Sequence, residues 1–431
     1  MAQRLRVLVI AEAANPEWVS VPLVGWSQAD ALRAVADVHI VTQIRNRDAF
    51  LRAGLVEGTD FTAIDSEKVA KLAWRATTLL RGGAGKGWTT ISALASLTYF
   101  YFERLVWRQF GDAIRAGRYD VVHRLTPLSP TSPSPIAPKV ARAGAAFVLG
   151  PLNGGLPWPK GFNSERHKER EWLSYVRGAY KLLPGYRATL AAARVILAGS
   201  RHTAAELPAS TRARTIFVPE NGIDPARFAL TPSKPIDPAQ PIGLCFIGRL
   251  VPYKGPDMAL AAALPLLRAG RATFDMIGDG PMMAELRALA EREGVSDAVR
   301  FHGWVEHDRV QAMARASHWF VFPSVREFGG GAVLEAMALG LLAIVVDYGG
   351  PGELVADGRG IALPLGSREA IVAELSRTLL ALADDPARAQ AAAERGHAWV
   401  EANLTWAAKA RVIERIYRWA LDPKGSKPEP Y

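Results

Sequence analysis

The chain has 431 residues, of which 49% are hydrophobic and 22% are charged. These values are typical of folded globular domains and exclude wholesale disorder, and the length predicts two domains. The net charge is +10, and the whole excess lies in the first half: residues 1–224 hold 29 Lys and Arg against 18 Asp and Glu, whereas residues 225–431 hold 23 against 24. This asymmetry predicts an anionic partner for the first half, such as a membrane surface or a nucleic acid.

The single cysteine, Cys245, lies in an apolar run. One cysteine excludes a disulfide within the chain, and its surroundings predict a buried thiol in a reducing compartment, the cytoplasm. The first apolar run ends at Glu12, too soon for a signal peptide. The uncharged window 87–102 is shorter than the roughly 20 apolar residues that a membrane-spanning helix needs.

Short apolar runs alternate with helical patterns through the first half, which predicts buried parallel strands. In chain order these runs are RVLVIA, DVHIVT, YDVVHR, AAFVLG, RVILAG and RTIFVP. The second half repeats the pattern with IGLCFIG, TFDMIG, AVRFHG, HWFVFP and LLAIVV. Strand and helix alternation on this scale predicts an α/β fold with two doubly wound, Rossmann-like domains.

Composition and periodicity also predict the domain boundaries. We predict a first domain over residues 1–223 and a second over 242–404, joined by the proline-rich linker 224–241. The amphipathic stretch 405–421 predicts a C-terminal helix that crosses back to the first domain, and 422–431 is predicted to be a disordered tail. Because ligands bind beyond the carboxyl ends of strands in open α/β sheets, the site is expected in the cleft between the two facing domains.

Two cations follow the first predicted strand of the second half. In FIGRLVPYKG, Arg249 and Lys254 are five residues apart, in the loop where a ligand would lie. An Arg fork and a mobile Lys can neutralise a diphosphate without a metal ion, although two ordinary surface cations would look the same. The next strand ends in IGDGP, where Gly280 either lets the backbone approach a ligand closely or simply makes a tight turn.

The stretch REFGGGAVLEAMALG places three glycines between two glutamates. The amides of Gly329, Gly330 and Gly331 lie where a helix begins, so they can form an anion site. Glu335 follows about one turn later in an apolar helix, where burying a carboxylate costs free energy unless a hydrogen-bond or charged partner offsets it. Glu327 precedes the glycines. A ligand with phosphates in its middle and hydroxyls at both ends, such as a nucleotide sugar, satisfies all three features.

These motifs resemble those of the retaining glycosyltransferases of family 4, which have the GT-B fold. The resemblance rests on FIGRLVPYKG, on IGDGP and on EFGGGAVLEAMALGLLAIVVDYGGPGELV. It also rests on a pair of glutamates with seven residues between them, met by Glu327 and Glu335, and on PENGID at residues 219–224. It covers essentially the whole chain and is most specific in the second half.

The resemblance implies a role for each of these residues. Glu335 would bind the ribose hydroxyls of the donor, and Glu327 would contact the donor hexose near the reacting carbon. Arg249 and Lys254 would hold the diphosphate and stabilise the leaving group, assisted by the glycine amides. The FHGWVE loop, with Gly303, would border the base. The donor is a co-substrate, and no further cofactor and no metal ion are implied.

In the first half, the resemblance places Gly25, at a helix start, near the donor phosphates. His123, at the end of YDVVHR, is the catalytic candidate for contact with a sugar hydroxyl, and the alternative is a satisfied histidine at a strand end. Leu125 stands where many family members have a second histidine. GPLNGGLPWPKGF resembles a glycine-rich loop of one subgroup. The acceptor-side candidates are Thr126, Asn153, Gly154 and Gly155.

Two other signals are weaker. RGGAGKGW resembles a phosphate loop, but Leu80 replaces its first glycine and no Ser or Thr follows Lys86. No Asp-x-Asp pair is present, which argues against a metal-dependent sugar transferase of the other major fold. The eight histidines show no metal-ligand spacing, so no metal site is predicted.

The sequence therefore predicts a retaining, metal-independent transferase that moves a hexose from a nucleotide diphosphate sugar to the hydroxyl of a lipid-linked or polysaccharide-precursor sugar. The base, the hexose and the linkage stay open. Two alternatives also remain, a nucleotide-sugar epimerase of the same architecture and a non-catalytic nucleotide-sugar-binding subunit. A nucleic-acid partner is not predicted, because no aromatic and basic strand motif supports it.

An anionic membrane surface is a further predicted partner, which would place the protein peripherally on the cytoplasmic face of a membrane. Within residues 71–110, basic and aromatic side chains are interleaved, and both classes favour the membrane interface. The alternative is that 88–110 is a core helix with a solvated charged face. The residues concerned are Trp74, Arg75, Arg81, Lys86, Trp88, Tyr99, Phe100, Tyr101, Phe102, Arg104 and Arg108.

Overall fold

The structure, a computed structural model, describes residues 3–67, 88–159, 162 and 179–431. These residues form two compact units. Unit 1 comprises the described residues of 1–155, 172–220 and 406–431, and unit 2 comprises those of 156–171 and 221–405. Each unit is built on one parallel sheet with helices packed against it.

Within the described residues, the sheet of unit 1 (sheet 1) has seven parallel strands in the order β3-β2-β1-β4-β5-β6-β7. The apolar run of β1 is buried along its length because helices cover both faces of the sheet. The strands are β1 (Arg6–Ala11), β2 (Asp37–Gln43), β3 (Phe61–Ile64), β4 (Val121–Thr126), β5 (Ala146–Leu152), β6 (Val195–Ala198) and β7 (Thr215–Phe217).

Local signals explain where several helices of unit 1 begin. Pro22 lies in the first turn of α1, and the Ser200 side chain caps α6 by accepting a hydrogen bond from the Thr203 amide. The helices are α1 (Val21–Arg33), α2 (Arg47–Arg52), α3 (Trp88–Arg115), α4 (Ala137–Arg142), α5 (Tyr186–Ala192) and α6 (Arg201–Glu206). Short 3₁₀ turns cover Ile44–Asn46, Ala179–Leu182 and Ala209–Arg214.

The sheet of unit 2 (sheet 2) has six parallel strands in the order β10-β9-β8-β11-β12-β13, again counted over the part of the chain that the structure describes. Cys245, on β8, is buried as predicted. The strands are β8 (Ile242–Ile247), β9 (Ala272–Ile277), β10 (Val299–Gly303), β11 (Trp319–Phe322), β12 (Leu342–Val346) and β13 (Ile361–Leu363). Residues 224–241 contain no helix or strand.

The helices of unit 2 alternate with its strands. Side chains of Ser367 and Asp385 cap two of them by accepting backbone amide hydrogen bonds. The helices are α7 (Pro256–Arg268), α8 (Met283–Arg292), α9 (His307–Ala314), α10 (Gly331–Ala338), α11 (Gly350–Val355), α12 (Arg368–Asp384) and α13 (Pro386–Asn403). Short 3₁₀ turns cover Pro252–Lys254 and Ser296–Ala298.

The last helix, α14 (Trp406–Leu421), belongs to unit 1. It packs against α1, and its apolar face joins the same core cluster as Val7 and Val9 of β1. That face carries Ile413, Ile416 and Tyr417, all fully buried. The spacing of these side chains on one helical face explains why this stretch packs as a helix.

Residues 422–431, predicted to be disordered, instead contact β7. The ring of Tyr431 lies 6.2 Å from that of Phe217 and packs against the core of unit 1. The Lys427 ammonium donates to the Thr215 carbonyl oxygen at 3.2 Å. Strand β7 is a sheet edge whose free backbone groups and side chains can hold such a segment, and composition alone did not reveal this.

A second difference concerns residues 156–159 and 162, which the sequence placed in the first domain. They belong to unit 2, where Phe162 is fully buried beside Met258 and Val346. The apolar side chain finds its core there, and this burial determines which unit the segment joins.

The aromatic residues of α3 lie partly in the core of unit 1. Tyr99 and Phe102, predicted to face a membrane, are buried. Arg104 and Arg108 are exposed on the same helix. In its described side chains α3 is therefore a core helix with a solvated basic face. Trp74, Arg75, Arg81 and Lys86, together with the RGGAGKGW motif and the side chain of Trp88, lie outside the described residues.

Candidate functional site

The strand order places a topological switch point in sheet 2 between β8 and β11. The chain runs outward from β8 through β9 and β10 on one side, and β11 is followed by β12 and β13 on the other. The loops that follow β8 and β11 therefore leave the same edge side by side, which is where open α/β sheets bind ligands. These are the loops of FIGRLVPYKG and PSVREFGGG.

The two loops bring a cation and a carboxylate together. The Lys254 ammonium lies 3.2 Å from a carboxylate oxygen of Glu327, and both side chains are mostly buried, with exposed fractions of 19% and 24%. The ammonium also lies 5.5 Å from the centre of the Phe322 ring, at the end of β11. Arg249, in the same loop as Lys254, is exposed. The structure thus joins two of the predicted residues directly and leaves Arg249 accessible to a ligand.

Backbone hydrogen bonds join the IGDGP turn to the loop that follows β8. The Gly248 amide donates to the Ile277 carbonyl at 3.0 Å and the Leu250 amide to the Asp279 carbonyl at 2.9 Å. A Cβ atom on Gly280 would overlap the Leu250 carbonyl. The missing side chain of Gly280 thus admits the loop that carries Arg249 and Lys254, and contact of Gly280 with the donor stays a prediction.

The three glycines behave as a helix start. Gly330 is the N-cap of α10 with φ of 59°, a conformation that favours glycine, and a Cβ there would press on the Leu354 side chain. The Gly329 carbonyl accepts a hydrogen bond from the Asn221 side chain at 3.0 Å, and Gly331 opens the helix. The α10 amides consequently begin one loop away from Glu327, with the helix dipole directed toward the switch point.

Glu335 and Gly303 are the residues predicted to lie at the nucleoside end of the donor. Glu335 lies in α10 and is half-buried between fully buried neighbours. Gly303 ends β10, its carbonyl accepts from the Gly278 amide at 3.0 Å, and a Cβ on it would meet nothing within 4 Å. The next residue, Trp304, is 74% exposed. Both positions remain predictions for the two ends of a nucleoside.

In unit 1, the switch point lies between β1 and β4. Thr126, at the end of β4, accepts a hydrogen bond from the Ala13 amide at 3.0 Å and is fully buried. A Cβ on Gly25 would overlap the Ala13 carbonyl. Both residues therefore fix the loop between β1 and α1, and contact of Gly25 with the donor and of Thr126 with the acceptor stays a prediction.

His123, the catalytic candidate, is fully buried and satisfied. Its Nε2 lies 2.6 Å from the Gly150 carbonyl oxygen and its Nδ1 lies 2.6 Å from the Tyr417 hydroxyl. A carbonyl only accepts, so Nε2 carries the proton and Tyr417 donates to Nδ1. Burial lowers the pKa of His123 to about 4, against the Gly150 hydrogen bond, so the ring is neutral. Both ring nitrogens are thus occupied by protein partners, and contact of His123 with a sugar hydroxyl stays a prediction.

The burial of neutral His123 predicts that the free energy of unfolding depends on pH. A histidine with a pKa of 6.5 unfolded and about 4 folded stabilises the fold above pH 6.5 and loses that contribution as the pH falls toward 4. We expect unfolding free energy to drop by about 2–3 kcal/mol from this group between pH 7 and 4.5. Urea unfolding of the wild type and of His123→Asn at both pH values tests this. The variant has no titrating group at that position, so its unfolding free energy should fall less between the two pH values than that of the wild type. An equal fall in both proteins would contradict the prediction.

The acceptor-side loop of Asn153–Gly155 is held from within unit 1. The Asn153 amide group donates to a Glu220 carboxylate oxygen at 2.6 Å, and its side-chain oxygen accepts from the Gly155 amide at 2.9 Å. The Gly154 amide donates to Thr203 Oγ1 at 3.1 Å. The loop is therefore preorganised, and its contact with an acceptor stays a prediction.

Sequence reasoning missed the buried lysine that supports this loop. Lys409 of α14 donates to the carbonyl oxygens of Pro219 and Glu220, at 2.6 and 3.0 Å. Burial lowers its pKa to about 7, and the Glu220 charge acts in the opposite direction. A lysine in an amphipathic helix looks like a surface residue, so no signal in the sequence marked it.

A second missed group fixes the loop after β4. Arg124, 1% exposed, donates to the carbonyl oxygens of Ser132 and Pro127 at 2.5 and 2.6 Å. Glu103, fully buried, accepts from the hydroxyls of Tyr99 at 2.5 Å and Ser134 at 2.7 Å. Burial raises the pKa of Glu103, while these hydrogen bonds and Arg124 lower it. This network anchors the TPLSPTSPSP segment at the edge of sheet 1.

Neither a metal-binding cluster nor a membrane-spanning helix is present among the described residues. Among them, no group of three or more His, Cys, Asp or Glu could hold a metal ion. No helix in that same part of the chain is both long and apolar enough to cross a membrane.

Comparison with known proteins assigns a family model to the second unit. Residues 232–396 match the family described as Glycosyl transferases group 1. The 2-deoxystreptamine glucosyltransferase of Streptomyces kanamyceticus is 34% identical over 209 residues, 46% of this chain and 52% of the relative. A second relative is the GDP-mannose-dependent monoacylated alpha-(1-6)-phosphatidylinositol monomannoside mannosyltransferase of Corynebacterium glutamicum. It is 34% identical over 207 residues, which are 43% of this chain and 51% of the relative.

The solved structures cover more of the chain. Anabaena HepE in complex with UDP superposes with a TM-score of 0.57 at 16% identity, over 95% of this chain and 99% of that one. By contrast, the chain spans about half the length of the curated relatives it matches. The likeness in structure shows the fold and the family model matches residues 232–396, so the chain has the GT-B fold with a segment in its second unit that matches Glycosyl transferases group 1.

Proposed function

We propose that the chain is a retaining, metal-independent glycosyltransferase of family 4 that moves a hexose from a nucleotide diphosphate sugar to an acceptor hydroxyl. The observation that carries this proposal is the Lys254–Glu327 pair, 3.2 Å apart at the switch point of sheet 2. In such a donor the hexose is bonded directly to the diphosphate, so a cation for phosphate and a carboxylate for hexose must be neighbours. The match of residues 232–396 to group 1 glycosyl transferases supports the same reaction class.

The proposed step breaks the bond between the anomeric carbon and the diphosphate oxygen and forms a bond from that carbon to the acceptor oxygen on the same face. The acceptor proton passes to the leaving diphosphate oxygen. Lys254 and Arg249 neutralise the charge that develops on the diphosphate, which is the largest contribution expected of such a site. Glu327 orients the hexose, and Glu335 binds the ribose. Family resemblance supports front-face attack, without a covalent glycosyl intermediate on Glu327.

The defining experiment offers a panel of UDP- and GDP-sugars with and without acceptor sugars, and measures release of nucleoside diphosphate. Release that depends on acceptor supports transfer. Conversion of one nucleotide sugar into its epimer without acceptor would instead establish the epimerase, and calorimetric donor binding without any turnover would establish a binding subunit. Transfer that is abolished by a chelator and restored by a divalent cation would contradict metal independence.

Retention is the stereochemical prediction. Product analysed by NMR during the first turnovers should have the same anomeric configuration as the donor. Mass spectrometry of the protein quenched during turnover should find no hexose on Glu327. An inverted product would overturn the assignment to family 4, and a hexosyl adduct on Glu327 would replace front-face attack with double displacement.

We propose a lipid-linked or polysaccharide-precursor acceptor at an anionic membrane surface. The support is the basic first half and the exposed Arg104 and Arg108 on α3. The name of the Corynebacterium relative also includes an acylated phosphatidylinositol acceptor.

Liposome co-sedimentation tests the membrane partner. Basic residues near an anionic leaflet contribute about 1 kcal/mol each, so Arg104→Glu with Arg108→Glu should weaken binding to anionic vesicles about 30-fold or more. Arg292→Glu with Arg300→Glu, on exposed positions of unit 2, is the matched control and should bind as wild type. Wild-type protein that stays in the supernatant with anionic vesicles at low salt would favour a soluble acceptor.

A further inference from the structure

A short segment of unit 2 reaches the two loops that carry Lys254 and Glu327. The described residues of 156–171 precede the unit 1 stretch that ends at 220, yet they belong to unit 2. We call residues 156–162 the strap, of which 156–159 and 162 are described. These residues end the GPLNGGLPWPKGF stretch, whose resemblance concerned the acceptor side and assigned no role to Trp158.

Trp158 of the strap contacts the immediate neighbours of both site residues. Its ring centre lies 6.2 Å from that of Tyr253, with the planes at 88°, an edge-to-face pair. The Arg326 guanidinium lies 4.9 Å from the Trp158 ring centre, a cation–π contact. Tyr253 directly precedes Lys254, and Arg326 directly precedes Glu327.

The strap itself is anchored at several points. The Tyr348 hydroxyl donates to the Pro157 carbonyl oxygen at 2.8 Å. Leu156 fills the space that a Cβ on Gly349 would need. Phe162 is 1% exposed and packs in a cluster with Met258 and Val325. These contacts hold the described backbone before and after Trp158 against unit 2, and so they limit the movement of the indole.

Hydrogen bonds already tie the two loops at one atom, the Tyr253 carbonyl oxygen, which accepts from the Val325 amide at 2.9 Å and from the Ser324 hydroxyl at 3.3 Å. These bonds fix the strand-side ends of the loops and do not involve the Tyr253 and Arg326 side chains. Trp158 adds a second contact on the Tyr253 and Arg326 side chains. Contacts at two places define the relative orientation of the two loops, whereas a contact at one place would allow them to rotate.

We propose that Trp158 is a positioning residue that holds Lys254 and Glu327 at ion-pair distance, and this role in transfer rests on the proposed function. A residue 96 positions before Lys254 in the sequence thereby governs the geometry at the switch point. The indole does not itself contact the donor.

The first test measures the ion pair without using enzyme activity. An ammonium engaged by a carboxylate is a poor target for acylation, so labelling of Lys254 by an acylating reagent, followed by peptide mass spectrometry, reports the pair. Trp158→Ala should label at least about fivefold faster than wild type, as expected for loss of about 1 kcal/mol of aromatic contact. Trp158→Phe keeps a ring and should restore most of the protection. Glu327→Ala is the positive control.

The matched control is Trp399, whose ring also carries an arginine, Arg359, at 4.0 Å in the same unit. Trp399→Ala removes an equivalent contact on α13 and should leave Lys254 labelling within about twofold. Unchanged labelling in Trp158→Ala, or an equal increase in Trp399→Ala, would overturn the proposal. Melting temperatures of all variants, with Trp158→Phe as the mild change, exclude general unfolding as the cause.

The second test is a double-mutant cycle in transfer. Trp158→Ala should lower kcat about fivefold or more in wild type and have a clearly smaller effect in the Glu327→Ala background, where no ion pair is left to position. Equal effects in both backgrounds would contradict the positioning role. If labelling responds as expected but wild type transfers nothing, the positioning stands and the proposed function fails.

Discussion

Replacing Lys254 with alanine should lower kcat/KM for transfer by about 30- to 1,000-fold, and Arg249→Ala should do the same. This range corresponds to about 2–4 kcal/mol, the effect of removing one preorganised group that faces developing charge. The two variants should differ in stability. Lys254→Ala leaves Glu327 mostly buried without its cation, whereas Arg249 is exposed, so only the first should lower the melting temperature measurably.

Steady-state kinetics of the purified variants check this prediction. Arg271→Ala is the matched control, because its pair with Asp384 is exposed on the same unit and surface pairs contribute little. Its kcat/KM should stay within about twofold of wild type. Activity that survives both Lys254→Ala and Arg249→Ala within a few-fold would contradict the proposed binding of the diphosphate.

Removing the two glutamates separates binding from turnover. Glu335→Ala should weaken binding of the nucleoside diphosphate alone by about 10- to 100-fold, since a hydrogen bond to a charged group contributes about 1.5–3 kcal/mol. Glu327→Ala should leave that binding nearly intact, because the hexose is absent from this ligand, and should lower kcat instead. Calorimetry with nucleoside diphosphate and kinetics with the full donor supply the two measurements.

Glu401→Ala, at an exposed position of α13, is the control for losing a carboxylate from a helix of the same unit. It should change neither quantity. Unchanged nucleoside diphosphate affinity in Glu335→Ala would refute the ribose assignment. A large loss of that affinity in Glu327→Ala would move this carboxylate from the hexose to the nucleotide.

The sequence was sufficient for the fold because parallel strands buried on both faces are continuous apolar runs. Each of the eleven predicted runs overlaps a strand. Among the described strands, the two without a prediction are β3 and β13, Phe61–Ile64 and Ile361–Leu363, and each lies at one edge of its sheet. Runs as short as FTAI and IAL resemble loop sequence, since an edge strand needs neither length nor burial on both sides.

The site could be predicted only in part. Lys254 and Glu327 were identified separately, and sheet order, which joins β8 to β11, turns two distant motifs into an ion pair. His123 shows the same limit in reverse: its hydrogen-bond partner Tyr417 lies 294 positions later, so no local pattern could show that its nitrogens are occupied. Contacts of this kind depend on tertiary structure, and residue spacing does not encode them.

The assignment of α14 to unit 1 has a consequence for synthesis. Strands β1 to β7 emerge early, but their core includes Ile413, Ile416 and Tyr417, which are made only after the whole of unit 2. Domains that are complete fold as units while the chain is still growing. Unit 2 should therefore complete its core before unit 1 does, and a released chain that ends at residue 405 should resist protease in 221–405 while remaining sensitive in 3–67.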